Sequence, residues 1–230
     1  MILCEYKAKN TGVDIMSKSL YSLILTDEVV NEIDRLAYKM GTNRSNMINQ
    51  ILAEYVSYTT PEMRIGQIFS ALEELLSPSD NFKTLLGASS SVMNVRSSLD
   101  YKYNPSVKYT VELSRDVSDN IGTLKVSMRT QNSTLLLYLM EFYKLFAKIE
   151  SSYIGDADYY LDGDKFARGL KLKSRHALST AQLGNVIAEY IKMFDSCLKA
   201  FFYNVNNPQL SAYEIEKIII SYLNSSDIRI

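Results

Sequence analysis

Residues 20–56 constrain the fold of this chain most strongly, because they predict a short strand followed by two short amphipathic helices. Residues 20–25, with the sequence LYSLIL, predict the strand, and residues 26–28 begin the first helix. Apolar side chains then recur at helical spacing in two blocks that residues 41–45 separate. The members are Val29, Val30, Ile33, Leu36, Ala37 and Met40 in the first block and Met47, Ile48, Ile51, Leu52, Tyr55 and Val56 in the second.

The ends of both predicted helices carry residues that helix ends prefer. Thr26 is a good N-cap with acidic residues behind it, and Gly41 is a good stop after the first helix. Asn43 or Ser45 supplies the N-cap of the second helix. A strand and two helices of about 37 residues cannot bury their apolar faces alone. The unit therefore needs a partner, and a second copy that pairs strand to strand would supply one.

The same residues resemble a family of DNA-binding proteins. Residues 22–56, SLILTDEVVNEIDRLAYKMGTNRSNMINQILAEYV, resemble the strand, acid-rich first turn, connection and second helix of the ribbon-helix-helix (Arc, MetJ and CopG-like) family. The resemblance is limited to about residues 19–57, and the remainder of the chain is unrecognised. It implies that the strands of two copies form an antiparallel ribbon that enters the major groove of double-stranded DNA.

The resemblance also implies which residues contact DNA. With Tyr21, Leu23 and Leu25 facing the helices, the outward strand residues would contact bases. The N–H groups at the start of the second helix would bind phosphate. The implied DNA-binding residues are Lys18, Leu20, Ser22, Ile24, Thr42, Asn43, Arg44 and Ser45. Because Leu20 and Ile24 are apolar where the family usually has polar residues, they would touch thymine methyl groups or be covered by another part of the protein.

Two functions follow from this resemblance. The first is sequence-specific DNA binding, as in a transcriptional repressor or a plasmid or phage partition or relaxosome-type accessory factor. The alternative is a protein-interaction adaptor in which the ribbon-helix-helix fold only dimerises the chain. Both imply a homodimer or higher oligomer, with a protein partner for the C-terminal part. A salt-dependent shift with random duplex DNA would favour the first function.

Charge and composition limit these functions further. Residues 1–64 hold seven Lys/Arg and eight Asp/Glu, whereas a DNA-binding module is usually strongly basic. A positive surface must therefore come from local clustering. The 230 residues, 47% hydrophobic and 22% charged, predict an ordinary soluble chain of one or two domains. Without a signal peptide or a run of 18 apolar residues, we expect a cytoplasmic protein that does not span a membrane.

The predicted fold class is mainly α with a small β component (α+β). Residues 1–60 would form an N-terminal arm and the ribbon-helix-helix module. Residues 61–230 would form a mostly helical partner or oligomerisation domain that contains a β-hairpin. The hairpin is predicted because residues 107–113 and 124–129 alternate between apolar and polar side chains around a polar turn.

An internal similarity offers a second interpretation of the hairpin. Residues 43–56 align without gaps on residues 178–191, and both contain Ala-Glu-Tyr. Residues 123–192 would then hold a degenerate second ribbon-helix-helix unit, whose outward residues would be a second DNA contact. These residues are Lys125, Ser127 and Arg129. The long insertion between the strand and the second helix favours the other interpretation, a hairpin in a separate domain.

The most basic stretch follows a run of aspartates near residue 160. It contains Lys165, Arg168, Lys171, Lys173 and Arg175, which form either a solvated face or a patch that contacts phosphate. The aspartate spacing does not fit an EF-hand, so we expect an acidic surface loop there. His176 is the only histidine, and no phosphate-binding loop or nucleophile motif is present. We therefore expect no metal site, no cofactor and no enzymatic activity.

Overall fold

The computed structural model describes residues 22–77, 82–85, 89–115, 119–155, 157–172, 178–225, 228 and 230. The chain divides into two compact units after Tyr58. We call residues 1–58 the N-terminal unit and residues 59–230 the second unit.

The N-terminal unit contains two helices in its described part. They are α1 (Asp27–Lys39) and α2 (Arg44–Tyr55). The helix ends predicted from sequence are confirmed. Thr26 occupies the N-cap position of α1, and Gly41 after α1 has a φ of +61°, in the left-handed region that glycine tolerates. Asn43 caps α2 by accepting a hydrogen bond of 2.9 Å from the N–H of Asn46.

The predicted combination of a ribbon-helix-helix module with a mostly helical domain is wrong. Residues 22–26 form no strand, and Leu23 and Ile24 are 59% and 101% exposed. Lys18, Leu20 and Tyr21 lie outside the described residues. The alternating pattern of residues 20–25 predicts a strand only when a second strand is present to pair with it, and within this chain the described residues give it none.

The second unit contains four helices and six strands in its described part. The helices are α3 (Pro61–Leu76), α4 (Ser133–Ile154), α5 (Thr180–Tyr203) and α6 (Pro208–Ser225). The strands are β1 (Phe82–Leu85), β2 (Val92–Ser98), β3 (Ser106–Leu113), β4 (Asn120–Met128), β5 (Tyr159–Asp162) and β6 (Lys165–Lys171). They form one antiparallel sheet in the order β1-β2-β3-β4-β6-β5.

The sheet curls into a half-barrel, and α5 supplies much of the core that its inner face covers. On the inner face, Tyr109 of β3 and Phe166 of β6 both make ring contacts with Phe194 of α5, at centroid distances of 6.2 and 5.0 Å. Helix α5 is buried on several sides because α3 also packs closely against it. A Cβ atom on Gly184 of α5 would lie 2.7 Å from the Cβ of Ala71 in α3. The inner face is therefore a packed core, which leaves the outer face for other contacts.

The predicted hairpin is confirmed, since β3 and β4 are paired neighbours in the sheet. Strand β4 lies between β3 and β6, so Lys125 and Ser127 belong to a six-stranded sheet and not to a two-stranded ribbon. The predicted mostly helical domain missed β1, β5 and β6, whereas a short strand suggested around Val92, Met93 and Val95 corresponds to β2. Two of these strands have four residues each, which is too short for alternation to be recognised in sequence.

Candidate nucleic-acid interface

The strand register places basic residues side by side across the outer face of the sheet. Lys83 of β1 lies directly opposite Arg96 of β2, and Arg96 lies opposite Lys108 of β3. Lys108 in turn is opposite Ser127 of β4, which is opposite Lys165 of β6. Directly opposite residues in an antiparallel ladder point to the same face. We call these five residues the cation row.

Burial confirms that the cation row faces outward. Lys83, Arg96 and Lys165 are exposed, and Lys108 and Ser127 are partly exposed. The residues that flank them along the strands, such as Val95 and Tyr109, are completely buried on the inner face. The side chains of the cation row therefore stand on a surface that no helix of the second unit covers.

The cation row is not neutralised by acidic neighbours within the part of the chain that is described. None of Lys83, Arg96, Lys108 and Lys165 forms an ion pair there. Like charges directly opposite each other destabilise a sheet by about 0.2–1 kcal/mol per pair. This arrangement is unfavourable for the isolated protein, and it creates a local positive potential that attracts an anion.

Acidic residues lie beside the cation row at two points. Lys125, which lies two residues before Ser127 on β4, donates a hydrogen bond of 2.7 Å to Glu112 of β3. At the far edge of the sheet, Asp162 of β5 lies opposite Lys165. The unbalanced positive charge is therefore concentrated on β1, β2 and β3, at Lys83, Arg96 and Lys108.

The predicted basic stretch is divided by the alternation of β6. Lys165 and Lys171 are exposed, and Lys171 pairs with Asp158 at 2.7 Å. Arg168 lies on the inner face, with 1% of its surface exposed, so it cannot reach a phosphate outside the sheet. Lys173 and Arg175 lie outside the described residues.

Of the residues predicted as a second DNA contact, the cation row includes Ser127 and Lys165. Lys125 lies beside the row, and Arg129 is exposed just after β4.

Arg168 instead takes part in a buried polar cluster. Its guanidinium lies over the ring of Tyr190 at 4.5 Å and pairs with Glu150. Burial lowers the pKa of Arg168, but Tyr190 and Glu150 together raise it by more than burial lowers it. The pKa is therefore above its usual value, and the guanidinium stays charged. Burial, reinforced by Glu150 and opposed by Arg168, raises the pKa of Tyr190 well above its usual value. The cluster is occupied by its own partners and offers no free site for a ligand.

The residues predicted around the start of α2 lie close together, but they are partly engaged. Arg44 donates to the carboxylate of Asp34 in α1, with a distance of 2.7 Å from Nε to Oδ1. Arg44 thereby lowers the pKa of Asp34. Asn43 uses its side chain as the helix cap, and Thr42 donates its N–H to the carbonyl of Ala37. Ser22, Ile24 and Ser45 are exposed.

The N-terminal unit also exposes an apolar stripe on α2. Ile51, Leu52 and Tyr55 are 38%, 52% and 89% exposed, and they follow one another at helical spacing. The small core of the unit consists of Ile33, Ala37 and Met47, with few partly buried neighbours. An isolated two-helix unit with so much apolar surface is poorly stabilised.

Other kinds of site have little support in the described part of the chain. No group of three or more His, Cys, Asp or Glu residues there has the arrangement that a metal ion needs. None of the described helices is long and apolar enough to cross a membrane.

Sequence analysis missed three consecutive members of the cation row. Lys83, Arg96 and Lys108 are spread over 26 positions and stand among apolar or Ser-rich residues, so no local run of charge marks them. Alternation in β3 places Lys108 on the polar face, but only the pairing of β1, β2 and β3 brings the three together.

Comparisons with known proteins add no relative. The chain matches no protein-family model, and neither the curated proteins nor the solved structures contain a match to it.

Proposed function

We propose that this protein binds DNA, and that the cation row on the outer face of the sheet is its contact with the phosphate backbone. The observation that carries the proposal is the direct cross-strand alignment of Lys83, Arg96 and Lys108 without an acidic partner among the described residues. Regularly spaced cations match a polymer of regularly spaced phosphates better than a single small anion.

The dimensions of the cation row suit a DNA backbone. Adjacent strands are about 4.8 Å apart, so the four steps from β1 to β6 span roughly 19 Å. Phosphates of one DNA strand follow each other about every 3.4 Å along the duplex axis and wind around it, so the row faces only the few of them that lie on one side of the duplex. Tyr160 is the one aromatic residue at an outward strand position of the described sheet. The face therefore lacks the stacking platform of single-strand binders, which favours contact with a duplex backbone.

The N-terminal unit contributes by pairing two copies of the chain. Its apolar stripe at Ile51, Leu52 and Tyr55 would be buried in a dimer. Two copies present two cation rows, and binding by one row raises the effective concentration of the other near the same DNA.

The test is charge reversal in the full-length protein. In the variant that combines Arg96→Glu and Lys108→Glu, we expect the affinity for a random duplex to fall at least tenfold at low salt. The slope of log K against log salt should also decrease by about 1.8, because each lost phosphate contact removes about 0.9. Lys144→Glu, on an exposed position of α4, is the matched control. If both variants bind like the wild type, the cation row is not the DNA contact.

The second candidate function is a protein-interaction adaptor. The observation that favours it is again the apolar stripe of α2, which would bind a partner whether or not DNA is involved. An adaptor would self-associate or capture a protein but show no salt-dependent binding to random duplex DNA. The charge-reversal experiment therefore separates the two functions.

A further inference from the structure

We infer that Tyr103, at the tip of the β2–β3 hairpin, stacks on an unpaired base next to the DNA segment that the cation row holds. The inference deepens the proposed function and rests on it. It assigns a particular substrate class, a duplex with an unpaired base, to the cation row together with the adjacent hairpin tip.

The tip presents Tyr103 to solvent almost completely. Its side chain is 96% exposed, although exposing a tyrosine ring to water is energetically unfavourable. Lys102 beside it is also exposed. A planar aromatic ring next to a cation is the combination with which proteins hold single bases of nucleic acids.

The backbone of Tyr103 is strained. Its φ is +66°, in the left-handed region that disfavours residues with a Cβ, and the φ of Asn104 is +44°. Asparagine adopts this conformation readily, whereas tyrosine does not. Glycine would fit position 103 with less strain. Residues kept in such conformations are concentrated at functional sites, where the gain lies in function and not in stability.

The tip is held firmly by its surroundings. The N–H of Leu99 donates to the carbonyl of Pro105 at 3.0 Å, and the N–H of Asn104 donates to the carbonyl of Tyr101 at 2.8 Å. Leu99 is buried, and the ring of Tyr101 packs edge-on against Phe202 of α5 at 5.2 Å. The backbone that carries the exposed ring is therefore fixed before any ligand arrives, which lowers the entropy lost on binding.

The tip lies at the end of the sheet nearest the cation row. Arg96 and Lys108 are each followed, toward the tip, by one more outward position before the loop begins, at Ser98 and Ser106. Arg96 is three residues from the loop's first residue, Leu99, or about 10 Å of extended chain. A DNA backbone on the cation row therefore brings bases within reach of Tyr103.

The test compares two DNA ligands of the same sequence. One is a fully paired duplex, and the other carries a single unpaired 2-aminopurine, whose fluorescence falls when it stacks on a ring. For the full-length wild type we expect about tenfold tighter binding to the second ligand, in keeping with the usual strength of base stacking on an aromatic side chain. The 2-aminopurine fluorescence should be quenched on binding.

The variants separate stacking from backbone contact. Tyr103→Ala should abolish the preference and the quenching while leaving affinity for the paired duplex unchanged, and Tyr103→Phe should retain both. Equal affinity of the wild type for the two ligands, or a preference that survives Tyr103→Ala, would overturn the inference. If paired-duplex binding still depends on Arg96 and Lys108, the proposed function stands without it. If the wild type binds neither ligand, both fail.

Discussion

Inside the second unit, the Nε of Arg168 lies 3.2 Å from Oε2 of Glu150, and both side chains are almost completely buried. The hydroxyls of Tyr159 and Tyr190 donate to the same carboxylate at 2.6 and 3.1 Å. Nη2 of Arg168 also donates to the carbonyl of Ile230 at 2.8 Å. One charge pair thus connects α4, β5, β6, α5 and the C-terminal residue.

We predict that Arg168→Met lowers the free energy of unfolding by about 3–5 kcal/mol, because it leaves the carboxylate of Glu150 buried without its counter-ion. Adding Glu150→Leu should recover part of the loss. The matched control is Lys171→Met on the same strand, whose pair with Asp158 is exposed and should contribute less than about 1 kcal/mol. Urea unfolding measures all three, and equal losses for Arg168→Met and Lys171→Met would contradict the prediction.

Alkaline pH should destabilise the second unit through its buried tyrosines. Burial, with Asp195 nearby, raises the pKa of Tyr109 well above its usual value near 10. The folded state therefore keeps a proton that the unfolded state loses. The resulting stability is present below about pH 10 and decreases at higher pH by about 1.4 kcal/mol per pH unit for each such group.

Tyr109→Phe tests this pH dependence, because it removes one titrating group and keeps the ring. We expect a shallower loss of unfolding free energy between pH 10 and 11 than in the wild type. Tyr203→Phe, at an 88% exposed position, is the matched control. The same slope for Tyr109→Phe and the wild type would show that Tyr109 does not contribute.

Two glycine substitutions should have opposite effects on stability. Gly184→Ala should cost about 1–3 kcal/mol, because its Cβ would lie 2.7 Å from the Cβ of Ala71 and 2.9 Å from the carbonyl oxygen of Ile68. Gly66→Ala, in the interior of α3, meets no atom within 4 Å and should stabilise the protein by about 0.5–1 kcal/mol. Thermal unfolding distinguishes them. Stabilisation by Gly184→Ala would refute the close packing of α3 on α5, and destabilisation by Gly66→Ala would refute the open space at that position.

Tyr103→Gly should raise the free energy of unfolding by about 0.5–1 kcal/mol. Glycine relieves the left-handed strain at φ +66°, and this relief exceeds the entropy that glycine adds to the unfolded chain. Lys102→Gly, whose φ is not positive, should not stabilise the protein. Stabilisation by Tyr103→Gly together with loss of the preference for an unpaired base would show that tyrosine is kept for binding. A destabilised Tyr103→Gly variant would argue against strain at the tip.

Leu52→Lys should prevent self-association of the full-length chain. A lysine placed within the apolar stripe of α2 would have to be desolvated in a dimer, whereas Asn46→Lys, at an exposed position on another side of the same helix, should have no effect. Sedimentation velocity measures the outcome. If Leu52→Lys forms dimers over the same range of protein concentration as the wild type, the interface lies elsewhere.

Local features of the chain were determined by the sequence itself. Helix ends depend on single side chains that bond to nearby N–H groups, so the caps at Asn43 and Thr60 could be predicted without tertiary structure. Alternation in β3 and β4 is also local, and it correctly predicted their pairing. The sequence also identified two members of the cation row, Ser127 as an outward strand residue and Lys165 as part of a basic stretch.

The tertiary structure decided which strands pair and in which register. Because side chains alternate along a strand, a shift of one residue would turn Arg96 and Lys108 into the core, and no local pattern states the register. The same alternation directs Arg168 inward although the sequence groups it with Lys165 and Lys171. The strand predicted over residues 20–25 is absent from the described residues 22–25 for a related reason, since a strand forms only where another strand supplies its hydrogen bonds, and that partner is a property of the fold and not of the segment.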